Sequence, residues 1–171
     1  CSTCANGGTT SYDYDPANNN LLSKAENGLT TQYGDYDAKG QYGYKVEAVG
    51  TAEERRIEYD YDPRFYNKIT EIREPSVYTG AQKVTSYTYD DWGNRLTETI
   101  NGYDPDGNPV TRTTRYEYIG PLHQLSLIDG PRTDVSDLMH YRYYPNDPAY
   151  GNNRGRLMEV ENANGILTLS N

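Results

Sequence analysis

Ser86-Tyr87-Thr88-Tyr89-Asp90-Asp91-Trp92-Gly93-Asn94-Arg95-Leu96-Thr97-Glu98-Thr99-Ile100-Asn101-Gly102 holds one full copy of the pattern on which the chain is built. Tyr87 and Tyr89, two residues apart, fall on one face of an extended strand, because side chains alternate sides along β structure. Asp90 to Asn94 has turn chemistry: Asp and Asn hydrogen-bond nearby backbone, and Gly93 can take a positive φ. Leu96 to Ile100 then favours a second strand, and Asn101-Gly102 is expected to reverse the chain again. The segment reads as a β-hairpin followed by another reversal.

Working outward, the tyrosine pair recurs as Tyr12 and Tyr14, Tyr59 and Tyr61, Tyr116 and Tyr118, and Tyr141 and Tyr143, with a degenerate copy at Tyr36-Asp37. The second tyrosines stand at 14, 36, 61, 89, 118 and 143, in steps of 22, 25, 28, 29 and 25. Such a period belongs to repeat architectures. Asn27-Gly28, Asp129-Gly130 and Asn164-Gly165 repeat the closing Asn-Gly turn. The second strand opens at Leu22, Ile69, Leu96, Leu125 and Leu157, with Ala25, Ile72, Ile128 and Val160 three residues on and Ile100 four on. Three residues is an odd step and changes face, so a β-bulge or two partly covered faces are expected there.

Thr51 to Arg56 has helical composition but is too short for a stable helix and reads as a turn. Proline follows aspartate at 16, 63, 105 and 148, which marks turns. The expected fold is all-β: a repetitive antiparallel strand-turn-strand solenoid or spiral sheet of about six repeats with little or no helix. Residues 1–10 form an N-terminal tail and residues 11–171 a single array domain.

The composition of the 171 residues supports tyrosine as the main packing residue. Leu, Ile, Val and Phe together number 26, a scarcity that alone predicts disorder, against 19 Tyr. Each Tyr ring can remove roughly 150–250 Å² from water. The net charge is -9 and the one adjacent basic pair is Arg55-Arg56, which disfavours nucleic acid because counterion release needs clustered Lys and Arg. No stretch approaches the roughly 18 apolar residues of a transmembrane helix. A chain opening on Cys1 is expected to be processed or excised.

Cys1 and Cys4 are the two cysteines. Their C-x-x-C lacks the strand-then-helix context that lowers a redox thiol's pKa, and the sixteen residues between His123 and His140 do not complete a zinc finger. A disulfide or a lipid attachment at Cys1 and Cys4 is the expectation. Asp104, Asp106 and Asn108 alternate like the start of a calcium loop, but position twelve is Arg115, so this segment reads as a turn. Close carboxylate pairs such as Glu53-Glu54 and Asp90-Asp91 read as solvated turns, and no nucleophile elbow or phosphate loop is present. No catalytic, metal or cofactor site is therefore expected. Period-matched tyrosines read as structural, whereas Tyr42, Tyr44, Tyr66, Tyr78, Tyr103 and Tyr150 lie outside the period and are the candidates for contact with a ligand such as a glycan.

The pattern Tyr-x-Tyr-Asp, then Gly93-Asn94-Arg95-Leu96, then a closing Asn-Gly resembles the YD-repeat, or RHS-repeat, family over about residues 11 to 169. The likeness is strongest at Tyr87 to Gly102, then at Tyr59 to Arg73 and Tyr12 to Gly28, and weaker at Tyr36 to Lys45 and Tyr141 to Gly165. The resemblance implies the strand-turn-strand sheet of RHS toxin shells, of the BC part of Tc toxin complexes and of the teneurin YD barrel. In shell members of that family, paired Asp-Pro-x-Gly motifs mark a self-cleaving protease; Asp104-Pro105-Asp106-Gly107 lies mid-array without a partner copy and reads as a turn.

Thr9 to Tyr14 and Gly165 to Asn171 read as end strands with open edges, which are templates for further strands. The functional expectation is a non-enzymatic structural scaffold forming part of an extracellular or secreted wall-like assembly, such as a toxin-encapsulating shell. Its partners would be further repeats of the same or another chain. The alternatives are a subunit of a head-to-tail extracellular filament and a carbohydrate-binding adhesin module.

Overall fold

The computed structural model describes residues 9–168; Cys1, Cys4 and their expected disulfide or lipid attachment lie outside the described residues. The strands are β1 (Thr10–Tyr14), β2 (Leu21–Glu26), β3 (Leu29–Tyr36), β4 (Tyr42–Glu47), β5 (Arg55–Tyr61), β6 (Ile69–Pro75), β7 (Gln82–Tyr89), β8 (Arg95–Tyr103), β9 (Pro109–Ile119), β10 (Gln124–Asp129), β11 (Leu138–Tyr143), β12 (Leu157–Asn162) and β13 (Gly165–Thr168). A 3-10 segment, Pro148–Asn153, is broken by Gly151 at φ 53. Strand order is chain order from β1 to β13. The expected all-β, strand-turn-strand architecture is the one observed. No helix among the described residues is long and apolar enough to cross a membrane.

The chain divides into two compact units. One takes in the residues up to Thr85 together with Asn101–Val110; the other comprises Ser86–Ile100 and the residues from Thr111 onward. In the first, β1 to β6 pair antiparallel, each with the next. In the second, β9 to β13 do the same.

The three-residue offset of the second strand has the cause that periodicity demands, a bulge in four copies, whereas the degenerate Tyr36 copy pairs with β4 in regular register. Asp13 faces Ser23 but Tyr14 faces Leu21, so Leu22 is the extra residue. Thr70 is extra between the partners of Asp60 and Tyr61, Ser126 between those of Glu117 and Tyr118, and Met158 between those of Arg142 and Tyr143. Each bulge puts the residue three after the strand's first, Ile72, Ile128 or Val160, opposite the first tyrosine of its copy, on the face it would otherwise miss; in the first copy that place is taken by Lys24, and Ala25 faces Ser11 instead. The bulge also lies beside the second tyrosine of the pair.

The Asn-Gly pairs do not share one role. Asn27 and Gly28 have φ 53 and 82, the two positive values of a type I′ hairpin, and join β2 to β3. Asn101 and Gly102 instead lie within β8, and the reversal comes at Asp104 to Asn108. Asp129 ends β10, and the chain continues through residues 130–137 before β11; Gly130 is fixed by closeness, since its missing Cβ would strike the Asp137 carboxylate. Between β12 and β13, Ala163-Asn164 make the turn and Gly165 already pairs with Asn162. Period alone could not separate these cases, because Asn-Gly is permissive in a turn and merely tolerated in a strand.

Ile57, at 3% exposure, is the sole buried apolar residue among the described residues, and Gln41, Asp62 and Thr85 are buried polar ones. The tyrosines expected to form a core are half-buried instead, and Tyr12 and Tyr14 are 55% and 48% exposed. Gly28→Ala is expected to cost about 1 kcal/mol, because its φ suits glycine, while Gly102→Ala should be neutral or slightly stabilising. Space is not the discriminant, since a Cβ at Gly28 meets nothing within 4 Å and one at Gly102 meets Lys83 Cγ at 3.8 Å. Urea midpoints of the two variants check this assignment of turn and strand.

Candidate functional site

The recurring feature of the molecule is a joint near the end of four of the tyrosine strands. Tyr36 at the end of β3 donates its hydroxyl hydrogen to the carbonyl of Leu21, the first residue of β2, at 2.6 Å. Tyr61 at the end of β5 donates to the carbonyl of Tyr42, the first residue of β4, at 3.0 Å. Tyr118 donates to Arg95, which opens β8, at 2.9 Å, and Tyr143 to Leu125 near the start of β10 at 2.8 Å. These four are second tyrosines of the repeat, and each reaches the strand before its own. At its start, that strand has just left a turn and offers a carbonyl that the tyrosine can satisfy.

The residue after the tyrosine builds the next turn. Asp37 Oδ1 accepts the backbone N–H groups of Lys39 and Gln41 at 2.8 and 2.9 Å, and its Oδ2 accepts from Gln41 Nε2 at 2.9 Å. Asp90 does the same with Trp92 N, Asn94 N and Asn94 Nδ2 at 2.9, 2.8 and 2.9 Å. Asp104 repeats the scheme with Asp106 N, Asn108 N and Asn108 Nδ2 at 3.0, 2.8 and 2.9 Å. All three obey the spacing Asp-x-x-Gly-Asn/Gln, with the glycine at φ 76, 81 or 85. Asp104 is thereby a turn carboxylate, as its sequence suggested. Asp15 and Asp62 close longer turns by accepting from Ala17 N and Arg64 N, each at 2.8 Å, with Asn19 and Asn67 taking the positive φ.

Within the first unit, neighbouring turns are stitched together. The buried Gln41 receives Asn67 N at its Oε1, at 2.6 Å, and Lys39 Nζ donates to the carbonyl of Pro63 at 2.9 Å. In the second unit, Trp92 stacks on His123 with centroids 4.2 Å apart, and Gln124 Nε2 donates to the carbonyl of Gly155 at 2.6 Å.

The remaining repeat residues sit around these joints. Tyr59 meets Tyr42 edge-on at 5.3 Å, and Tyr42 also touches Tyr33 and Tyr36. The Arg95 guanidinium lies 5.6 Å from the Tyr87 ring centre and 4.8 Å from that of Tyr116, a cation-π contact between the first tyrosines of successive copies. Gly93 is buried and Asn94 is the Asp90 clamp partner. Tyr141 is half-buried with its hydroxyl 3.9 Å from Met139 Sδ, and Tyr89 is half-buried at the end of β7. Tyr12 and Tyr14 stack on each other at 6.3 Å. Leu96 is 37% exposed, and it is Arg95, one residue earlier, that occupies the acceptor position of the joint. Sequence reasoning missed that position because a backbone carbonyl leaves no mark on residue type. The Asp-x-x-Gly-Asn/Gln spacing at 37, 90 and 104 is the signal that could have revealed the clamp.

Burial pushes the hydroxyls of Tyr36, Tyr118 and Tyr143 above the ordinary tyrosine value, and that of Tyr61 up to about 12. The Asp37 carboxyl is held low, first by the Gln41 backbone N–H, and that of Asp104 first by the Asn108 side chain. At Asp90 burial is the largest single influence and opposes ionisation, yet the bonds from Asn94 and Trp92 together with His123 outweigh it and the net shift is downward.

No protein-family model matches the chain, and no curated protein does. Among solved structures, a chain of the one described as "Crystal Structure of TcdB2-TccC3-Cdc42" is similar at 15% identity and a TM-score of 0.27, over 96% of this chain. The present chain spans 12% of that one's length.

Two measurements check the joint. Tyr61→Phe and Tyr118→Phe should each lower stability by about 1 kcal/mol, the net worth of a hydrogen bond, whereas Tyr66→Phe, at a strongly exposed ring, should change little. The pH dependence follows from the direction of the shifts. A tyrosine whose folded pKa exceeds its unfolded value contributes fully below pH 10, and Tyr61's contribution is lost as pH rises toward about 12. The lowered Asp37, Asp90 and Asp104 contribute above 3.8 and lose that contribution as pH falls below it. Urea midpoints should therefore form a plateau that falls at both ends, and Tyr61→Phe should flatten the alkaline limb.

Proposed function

We propose that the chain is a non-catalytic structural scaffold of YD/RHS-repeat type that works outside the cell as part of a wall-like assembly, a toxin-encapsulating shell being the form the repeat pattern suggests. The observation that carries this reading is the tyrosine joint, made four times with one geometry at second tyrosines of the period. In these four copies the tyrosine fastens a strand to the one before it, and the Asp clamp where present sets the turn to the one after. An array held by a joint of this kind extends by adding strands and needs no second layer to define its register.

The end strand β1 supports self-association as the form that extension takes. All five of its residues are exposed, and among the described residues its partner is β2 on one side. A strand edge with unpaired N–H and C=O groups recruits another strand, and edge lysines suppress this. The variant carrying Ser11→Lys and Asp13→Lys should therefore stay monomeric at concentrations where the unaltered chain associates, as measured by sedimentation velocity over a concentration series. Electron micrographs of the same samples should contain sheets, shells or end-to-end filaments. Monomers in both proteins at every concentration would remove edge-mediated assembly from the reading.

A further inference from the structure

We propose that Tyr78 and Tyr103 form an oxidative cross-linking site, coupling to one another as dityrosine when a one-electron oxidant, such as a haem peroxidase supplied with hydrogen peroxide, reaches the protein. This goes beyond the scaffold reading and does not depend on it. Tyr78 lies in the connection between β6 and β7, and Tyr103 is the last residue of β8. Their rings stack with centroids 5.9 Å apart and planes 30° apart, and both are exposed, at 43% and 40%. Gly107 makes room for the arrangement, since a Cβ there would stand 2.8 Å from Tyr78 Cζ.

The chemistry balances within the pair. Each phenol gives up one electron and one proton, and those two electrons and two protons reduce one hydrogen peroxide to two waters. The two phenoxyl radicals join through ring carbons ortho to the oxygens, forming one C–C bond. The hydrogens on the joined carbons then move to the oxygens and restore both phenols, so the protein loses two hydrogens in all.

Geometry selects this pair from a tyrosine-rich surface. Tyr33, Tyr36 and Tyr59 meet Tyr42 at 66°, 76° and 90°, edge-on and half-buried, where an oxidant has less access. Tyr144 and Tyr150 are tilted at 47°. Tyr12 and Tyr14 are near-parallel, but they lie two residues apart on one extended strand, where coupling has to close a ring across a single residue. Tyr78, in a connection, and Tyr103, at a strand end, come from separate segments, stacked and open to an oxidant. Their coupling ties the β6–β7 connection to the end of β8 and restricts the unfolded chain between them, as any cross-link across a long loop does.

The test treats the dilute protein with peroxidase and limiting hydrogen peroxide, isolates the monomer, and reads dityrosine fluorescence and tryptic peptide masses. The expected product joins peptide 74–83 to peptide 96–112 with loss of two hydrogens. Tyr78→Phe and Tyr103→Phe, each with an unchanged circular dichroism spectrum, should lower the monomer's dityrosine several-fold, while Tyr66→Phe should not. A yield unaffected by either substitution, or cross-links mapping to Tyr12 and Tyr14 or solely between molecules, would overturn the proposal.

Discussion

A tyrosine hydroxyl donating to a carbonyl at the start of the preceding strand is the interaction on which the rest of this structure depends. It recurs at Tyr36, Tyr61, Tyr118 and Tyr143, and its acceptor is a backbone atom. Strand starts beside turns are where a sheet ladder frays, because the turn takes the chain away from its neighbour. A phenol there contributes a hydrogen bond and a large apolar ring together, and burial of the ring stabilises the neutral hydroxyl, as its raised pKa at Tyr61 reflects. Leucine would supply the area without the bond; serine would supply the bond without the area.

The aspartate that follows explains why the two residue types travel together. At Tyr36-Asp37 and Tyr61-Asp62 the same dipeptide closes one strand backward and opens the next turn forward. Where the aspartate is absent, as at Tyr118-Ile119 and Tyr143-Tyr144, the tyrosine joint persists but the turn is built by other means. His123 takes φ 48 and donates its N–H to Gly120, and Tyr144 and Arg156 bridge a longer excursion. The two halves of the motif are therefore separable: the tyrosine attaches the strand and the aspartate ties the turn, whose length is short where Gly-Asn or Gly-Gln follows at the right spacing and longer at Asp15 and Asp62.

Much of this was legible in the sequence. Period-2 tyrosines marked the strands, and the odd offset from Ile69 to Ile72 and from Leu125 to Ile128 pointed to the bulges now found at Thr70 and Ser126. What stayed hidden has physical reasons. Asn101-Gly102 carries the residue types of a hairpin turn but lies in β8, because the stronger Asp104 clamp a few residues later captures the reversal. The acceptors Arg95 and Tyr42 could not be read at all, since a carbonyl is common to every residue. Tyrosine was expected to be interior, and it is half-buried because Ile57 is alone as a buried apolar side chain among the described residues, leaving the rings no closed interior to enter.

That last point bears on how such a chain is stabilised. A domain stabilised by one interior is limited by how much apolar volume it can enclose, and adding strands at its margin gains little. Here the stabilising element is a joint between successive strands, repeated with the period, so each added copy brings its own share and the array has no preferred length. Ion pairs follow the same rule: Glu47 bridges Lys45 and Arg55, and Arg73 bridges Asp60 and Glu71, each linking neighbours along or across one strand boundary. Such half-buried or exposed pairs contribute little individually, but they keep the faces polar while the tyrosines hold the strands. The extent of such a sheet is then set by how many copies follow one another, and not by a single well-packed centre.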